Sequence, residues 1–470
     1  MREAAKGSRL SALLGPGKAA AACYTPAHES NRPMKAPDSA RALARHLLRA
    51  VLREHTPLDE AWSGAKGVSR LQPRDRAFAR LLVATVLRRL GQIDALLDQC
   101  LERPLKARHA EVRDLLRLGA AQLLFLKTPP HAAVSTTLDL AVGQDVAGYK
   151  GLLNAVLRRV ALEGEALLSA QDAARLNTKK WLWESWSAAY GDAAARAIAE
   201  VHLAEPPLDL TLRDPGAAAV WAEALQAQIL PTGSLRLPAG SGEIDKLPGF
   251  AEGAWWVQDA AAALPARLLG EVAGLRVLDL CAAPGGKTAQ LAAAGAKVTA
   301  LDISADRIVR LRENLARLSL EAETLTADAR EWRPETPFDA VLLDAPCSAT
   351  GTLRRHPDIA HLKGAKEVAK LTALQDRLLA NAVHMLAPSG SLVYATCSLQ
   401  PEEGAARIAS LLDGGAPLER MAIRAEEIGG LGEAITPDGD LRTLPCHLSE
   451  LGGLDGFYAC RLRRRPGDAQ

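Results

Sequence analysis

LRVLDLCAAPGGKTAQLAAAG, residues 275–295, decides the fold. Leu275 to Cys281 is a short apolar run with the length of a buried strand. From Thr288 onward the apolar residues recur at helical spacing. Between the two lies Ala-Ala-Pro-Gly-Gly. Glycines at a strand–helix junction let the backbone approach a ligand closely, with the N–H groups of the helix start turned towards it. Neither the full GxGxxG fingerprint nor a phosphate-binding P-loop is present, so a pyrophosphate cradle is not expected.

Working outward, each following apolar run ends on an acid. KVTALD ends at Asp302, where a carboxylate suits ribose hydroxyls. ETLTADAR carries Asp328, placed to meet an adenine amino group, and FDAVLLDAPC carries Asp344. A glycine turn with a strand-end acid, and no phosphate cradle, favours a nucleoside without pyrophosphate. S-adenosylmethionine is the candidate. Ligands of open α/β sheets sit outside the carboxyl ends of the strands. Asp302, Asp328 and Asp344 therefore fall on one rim, together with Cys347, which follows the same run as Asp344, and Cys397, which follows one more. A single strand-end Asp is often only a helix cap. Three acids and two thiols on one rim ask for more than capping.

The rest of the 470-residue chain divides by periodicity. Residues 1–33 are rich in Ala, Gly, Ser and Pro without a sustained period and read as a disordered extension. Residues 34–165 show helix after helix, with apolar positions at i, i+3, i+4 and i+7 and a break at Pro129-Pro130. Residues 166–262 read as a helical connector, with Trp181, Trp183 and Trp186 at the join, followed by a small β subdomain beginning at PLDLTLRD. In residues 263–466 strands alternate with amphipathic helices, the pattern of a parallel sheet covered on both faces.

Composition sets bounds. Hydrophobic residues make up 48% and charged residues 24%, ordinary for a globular protein without membrane spans. The start of the chain lacks a continuous apolar leader core, so a cytoplasmic location is expected. The seven cysteines are scattered and form no CxxC pair, which argues against a disulfide framework and against a metal site. Net charge is only +2, but residues 38–165 carry 20 Lys and Arg against 14 Asp and Glu. That excess, with the run Arg461, Arg463, Arg464 and Arg465, suits an anionic partner.

CAAPGGK (281–287), LDAPCSATG (343–351), RRHPD (354–358) and YATCS (394–398) together resemble the RNA (cytosine-5)-methyltransferases, in particular those of bacterial small-subunit (16S) rRNA. RPLKARHAEVRDLLRLGAAQLLFL, PPHAAV and KGLLNAVLRRV resemble a NusB-type RNA-binding helical domain, and LDGFYACRLRR resembles the family's closing antiparallel strand. The resemblance implies an all-α NusB-like domain joined to an α/β Rossmann-like methyltransferase domain. It implies that Cys281, Ala282, Ala283, Pro284, Gly285, Gly286 and Lys287 form the S-adenosylmethionine loop. Asp302 would hold the ribose, Asp328 the adenine, and Asp344 would lie where cofactor and base meet. Cys397 would be the nucleophile that adds to cytosine C6, and Cys347 would assist product release. The substrate would be 16S rRNA, free or in an assembly intermediate, and the enzyme a monomer. Arg354, Arg355 and His356 would line the RNA approach. Two other classes stay open on residues alone. One is a non-catalytic NusB-like regulatory protein, which would need neither thiol. The other is a redox enzyme pairing Cys347 with Cys397.

Overall fold

The computed structural model describes residues 39–466, so the extension at 1–33 lies outside the described residues. Helices alone occupy the amino-terminal part, from Ala40–Glu54 to Asp192–Val201. The first is started by Ser39, whose hydroxyl accepts from the Ala42 amide at 3.2 Å. It buries Leu43, Leu47, Leu48 and Val51 against the helices Pro73–Arg88 and Ala110–Leu124. The Pro129-Pro130 break starts a new helix, Pro130–Asp139, with proline in its first turn. On the opposite face of the first helix, Arg45, Arg49 and Arg53 recur every four residues and all reach Glu111. Several of the arginines behind the local positive excess are thus spent inside the bundle. Lys66, Arg70, Arg74, Arg103, Lys106 and Arg108 stay exposed.

Among the described residues, strands begin at β1 (Leu208–Leu212). It forms a four-stranded antiparallel sheet with β2 (Gln228–Ile229), β3 (Leu235–Leu237) and β4 (Trp255–Val257), in the order β2-β3-β1-β4. The large sheet holds β5 (Arg276–Leu280), β6 (Lys297–Asp302), β7 (Glu323–Thr326), β8 (Phe338–Asp344), β9 (Leu386–Thr396), β10 (Leu418–Arg420), β11 (Leu441–Thr443) and β12 (Phe457–Arg464). Its order is β10-β12-β9-β8-β5-β6-β7, with β11 also on β12. The pairs from β9 through β7 are parallel, while β12 runs antiparallel to β9. The chain winds from β5 towards β6 and β7, then returns to lay β8 on the other side of β5. That reversal opens a crevice at the carboxyl ends of β5 and β8.

The helical bundle rests on the segment that follows β8. The Leu58 amide donates to Asp358 at 3.0 Å, Arg88 donates to the Arg354 carbonyl at 2.9 Å, and the His361 ring donates to the Leu87 carbonyl at 3.0 Å. Trp186, fully buried, packs with Leu353 and Leu399 and donates to Gln400 at 3.1 Å. No helix among the described residues is long and apolar enough to cross a membrane.

The basic residues expected on the RNA approach are corrected here. Arg354 is 1% exposed and bridges Asp259 and Asp455, both of them buried, and Arg355 also pairs with Asp455. Only His356 keeps substantial exposure, with Asp59 3.7 Å away. Arg461 is likewise committed, to Glu427 at 2.6 Å. Two buried carboxylates that lose their cation are costly. Arg354→Met should therefore lower stability by about 3–5 kcal/mol, read as a large fall in Tm. An unchanged Tm would contradict this role.

Candidate active site

The loop after β5 is built around glycine and held from three sides. Gly285 adopts φ +102°, and a Cβ there would sit 2.8 Å from Leu311 Cγ. Only glycine serves at this turn. It starts the helix Gly286–Ala293. The Asn314 amide donates to the Pro284 carbonyl at 3.0 Å, and Arg307 donates to the Ala283 carbonyl. Asp302, 1% exposed at the end of β6, accepts from the Ala283 amide at 3.2 Å and from the Ser304 amide at 3.0 Å.

Beside this loop lies a cleft of about 260 Å³. Cys281, Asp302, Arg307, Asp328 and Arg330 supply its polar wall, and Ile303, Pro346, Leu374 and Leu378 its apolar wall. Asp328 accepts from Arg330 through both the side chain, at 2.8 Å, and the amide, at 2.9 Å. The Arg330 guanidinium pulls its carboxyl down to about 2. Burial pushes the Cys281 thiol well above its ordinary range. A larger opening of about 820 Å³ lies at the opposite end of the sheet, near the starts of β5, β6 and β7, far from both thiol loops.

Lys287 leaves the cleft. Its ammonium donates to Asp344 Oδ2 at 2.7 Å and sits 5.2 Å from the centre of the Phe457 ring. Burial opposes its charge, but Asp344, Cys397 and Asp279 together outweigh burial and the pKa is raised. Next to this pair, Cys347 Sγ and Cys397 Sγ stand 3.4 Å apart as free thiols. The shared hydrogen with Cys397, followed by burial, drives Cys347 far above the ordinary thiol range. The structure thus gathers the predicted residues into two neighbouring groups. Asp302, Asp328 and Cys281 line the cleft, while Lys287, Asp344, Cys347 and Cys397 surround the thiols. Pro346 joins the two groups, since it walls the cleft and precedes Cys347.

Two buried acids beneath the site's loops carry no sequence signal strong enough to single them out as site residues. Asp279, inside β5, accepts from Thr288 Oγ1 at 2.6 Å under the glycine loop. A carboxylate within a run that otherwise reads as a doubly covered parallel strand was the available signal. Glu403 sits 0% exposed beneath both cysteine loops, and nothing in PEEGA distinguishes it from a solvated pair of acids.

A Gly-turn cleft at the switch point of a seven-strand path with an antiparallel β12, next to a lysine–aspartate pair and two thiols, defines a Rossmann-like methyltransferase. The family model "16S rRNA methyltransferase RsmB/F" matches residues 266–463, and that of the NusB family matches residues 35–162. The "Ribosomal RNA small subunit methyltransferase B" of Pseudomonas syringae is 38% identical over 84% of this chain and 90% of its own length. The chain belongs to this 16S rRNA methyltransferase family and is a methyltransferase. Among solved structures, PH0851 aligns over 90% of this chain and 98% of its own, at TM-score 0.66 and 20% identity. NSun6 from Pyrococcus horikoshii, solved with SFG, aligns over 61% and 98%, at TM-score 0.51 and 18% identity. Both likenesses speak for the fold.

Burial pushes Asp279 up to about 7, with Asp344 and Asp302 adding to it against Thr288 and Lys287. The folded protein therefore holds this proton more tightly than the unfolded chain, whose carboxyl titrates near ~3.9. Stability from this group is full at low pH and is lost as pH rises towards about 7. Asp279→Asn should remove the loss. The difference in Tm, variant minus wild type, should grow between about pH 5 and pH 7.5. A flat difference would contradict the assignment.

Proposed function

We propose that this chain transfers the methyl group of S-adenosylmethionine to C5 of a cytosine in small-subunit rRNA, through a covalent bond between Cys397 Sγ and cytosine C6. The observation that carries the reading is the pair of thiols 3.4 Å apart, at the ends of adjacent parallel strands, beside the cleft.

The cleft suits a nucleoside. It offers a buried strand-end acid, a glycine-bounded backbone, an exposed Ile303 and no P-loop to cradle phosphates. Asp302 would take the ribose hydroxyls and Asp328 the adenine edge, with residues 281–286 against the rest. Bound there, S-adenosylmethionine supplies an electrophilic methyl group.

Cytosine C5 is a poor nucleophile within its aromatic ring. The Cys397 thiolate adds to C6, breaking the C5–C6 double bond, and C5 becomes enamine-like and able to accept the methyl. Negative charge then builds towards N3. Asp344, carrying a proton to donate, and the Lys287 ammonium 2.7 Å from it would oppose that build-up by hydrogen bonding and positive charge. Once C5 carries the methyl, it must lose its proton to a base, which restores the double bond as the C6–S bond breaks. Cys347, the neighbouring sulfur, takes part in this release. The target base must first be unstacked into the pocket. The NusB-like bundle, with Lys66, Arg70, Arg74 and Arg103 exposed, would meet rRNA phosphates. The enzyme acts as a monomer in the cytoplasm, on rRNA free or within an assembly intermediate.

The two thiols should fail differently. Cys397→Ala should give neither methylation nor a covalent adduct. Cys347→Ala should attack and methylate but stall, so that an RNA-linked protein band accumulates on a denaturing gel only when S-adenosylmethionine is present. An adduct in Cys397→Ala and none in Cys347→Ala would reverse the two roles. The absence of labelled methyl transfer by the wild type to unmethylated rRNA would overturn the reaction itself.

A further inference from the structure

The strand ladder stops short of both cysteines. The parallel pairing of β8 with β9 ends at Asp344 and Ala395, and one more backbone bond, from the Ala345 amide to the Ala395 carbonyl, follows at 2.8 Å. Beyond that point the two thiol loops need another device to stay in register. The residue after each cysteine is a serine, and both serines turn inward to one carboxylate. Glu403 Oε2 accepts from Ser398 Oγ at 2.6 Å and from Ser348 Oγ, while Oε1 accepts from the Ser348 amide at 2.8 Å. The two hydroxyl oxygens lie 3.1 Å apart. Gln375 closes the network, donating to Glu403 Oε1 at 3.2 Å and to the Pro346 carbonyl at 2.9 Å. Glu403 is itself anchored to β9, since its carbonyl accepts from the Tyr394 hydroxyl at 2.8 Å.

We infer that Glu403 is a positioning residue for methyl transfer: it clamps the Cys347 and Cys397 loops through their following serines and so sets the spacing of the two thiols. The inference rests on the proposed roles of those thiols, and adds to them the group that keeps attack and release in reach of one base. Consecutive Cα atoms are only about 3.8 Å apart, so a serine held on each side holds the preceding cysteine as well. The Gly351 amide, 2.9 Å from the Cys397 carbonyl, supplements the clamp on the Cys397 side, as do the Leu399 amide on Thr350 Oγ1 at 3.0 Å and Arg442 on the Ser398 carbonyl. A glutamine can keep this network, with its oxygen facing the Ser348 amide and Gln375, and its amide nitrogen donating to the two hydroxyls. An alanine cannot.

The test uses the full chain and two readouts. The first is oxidation by diamide, which takes up the two thiol hydrogens to become a hydrazine as the Cys347–Cys397 disulfide forms. Peptide mapping follows its rate, which depends on thiol spacing and on no catalytic role. The second is kcat and KM for methyl transfer to rRNA. Glu403→Ala should slow disulfide formation and lower kcat by roughly ten- to a hundredfold, as a misplacement near 1 Å does, with KM for both substrates little changed. Glu403→Gln should restore both rates, and exposed Glu402→Gln should alter neither. Ser398→Ala, which leaves the carboxylate in place, should show the same direction and covers the case in which Glu403→Ala does not fold. A folded Glu403→Ala or Ser398→Ala with wild-type kcat would overturn the inference, whatever its disulfide rate, as would a Glu403→Gln as impaired as alanine. If the wild type transfers no methyl group, the reaction reading fails, and an unaltered disulfide rate in both variants would then overturn the clamp separately.

Discussion

The parallel pairing of β5 with β8 is the constraint from which the site follows. Strand order reverses at that pair, so the loop leaving β5 and the loop leaving β8 diverge and leave a crevice between them. The glycine turn fills one side of it and Asp344 the other, and Lys287 spans the gap at 2.7 Å. Had the chain continued on the same side of β5, the acid and the lysine would not face each other. The same reversal lays β9 beside β8, which brings Cys397 next to Cys347 although they are 50 residues apart.

Below the rim, buried ionisable groups do the organising. Asp279 lies under the glycine loop, Glu403 under the thiol loops, and Arg354 between Asp259 and Asp455. Each group would be costly alone and is held by hydrogen bonds or opposite charge. The segment after Cys347 bears on several of these at once. It supplies Ser348 to Glu403 and Arg354 to the buried cluster, and it supplies Asp358 and His361 to the helical bundle. Docking of the bundle and placement of a thiol thus share one stretch of some fifteen residues.

What was legible in the sequence was local. Helical periodicity marked the bundle, the Gly-Gly turn marked the start of a helix, and the strand-end acids fell on one rim because strands expose their ends in a fixed way. What was not legible depends on distant partners. Arg354 and Arg355 read as a basic surface because their own neighbourhood is basic, yet their carboxylates are 95 to 101 residues away. Asp302 and Asp328 were placed correctly on the rim, but their present partners, Arg307 and Arg330, come from the short stretches just after each strand. Glu403 is invisible without the fold, because a buried carboxylate and a solvated one look alike until the serines that meet it are known.

The most direct measurement is bisulfite sequencing of small-subunit rRNA from cells lacking this gene, with and without the gene restored. One cytosine that resists conversion in the parent should become convertible in the deletion strain. Resistance should return with the wild-type gene and stay absent with Cys397→Ala. An identical set of resistant cytosines in parent and deletion strains would contradict methylation of small-subunit rRNA cytosine by this protein.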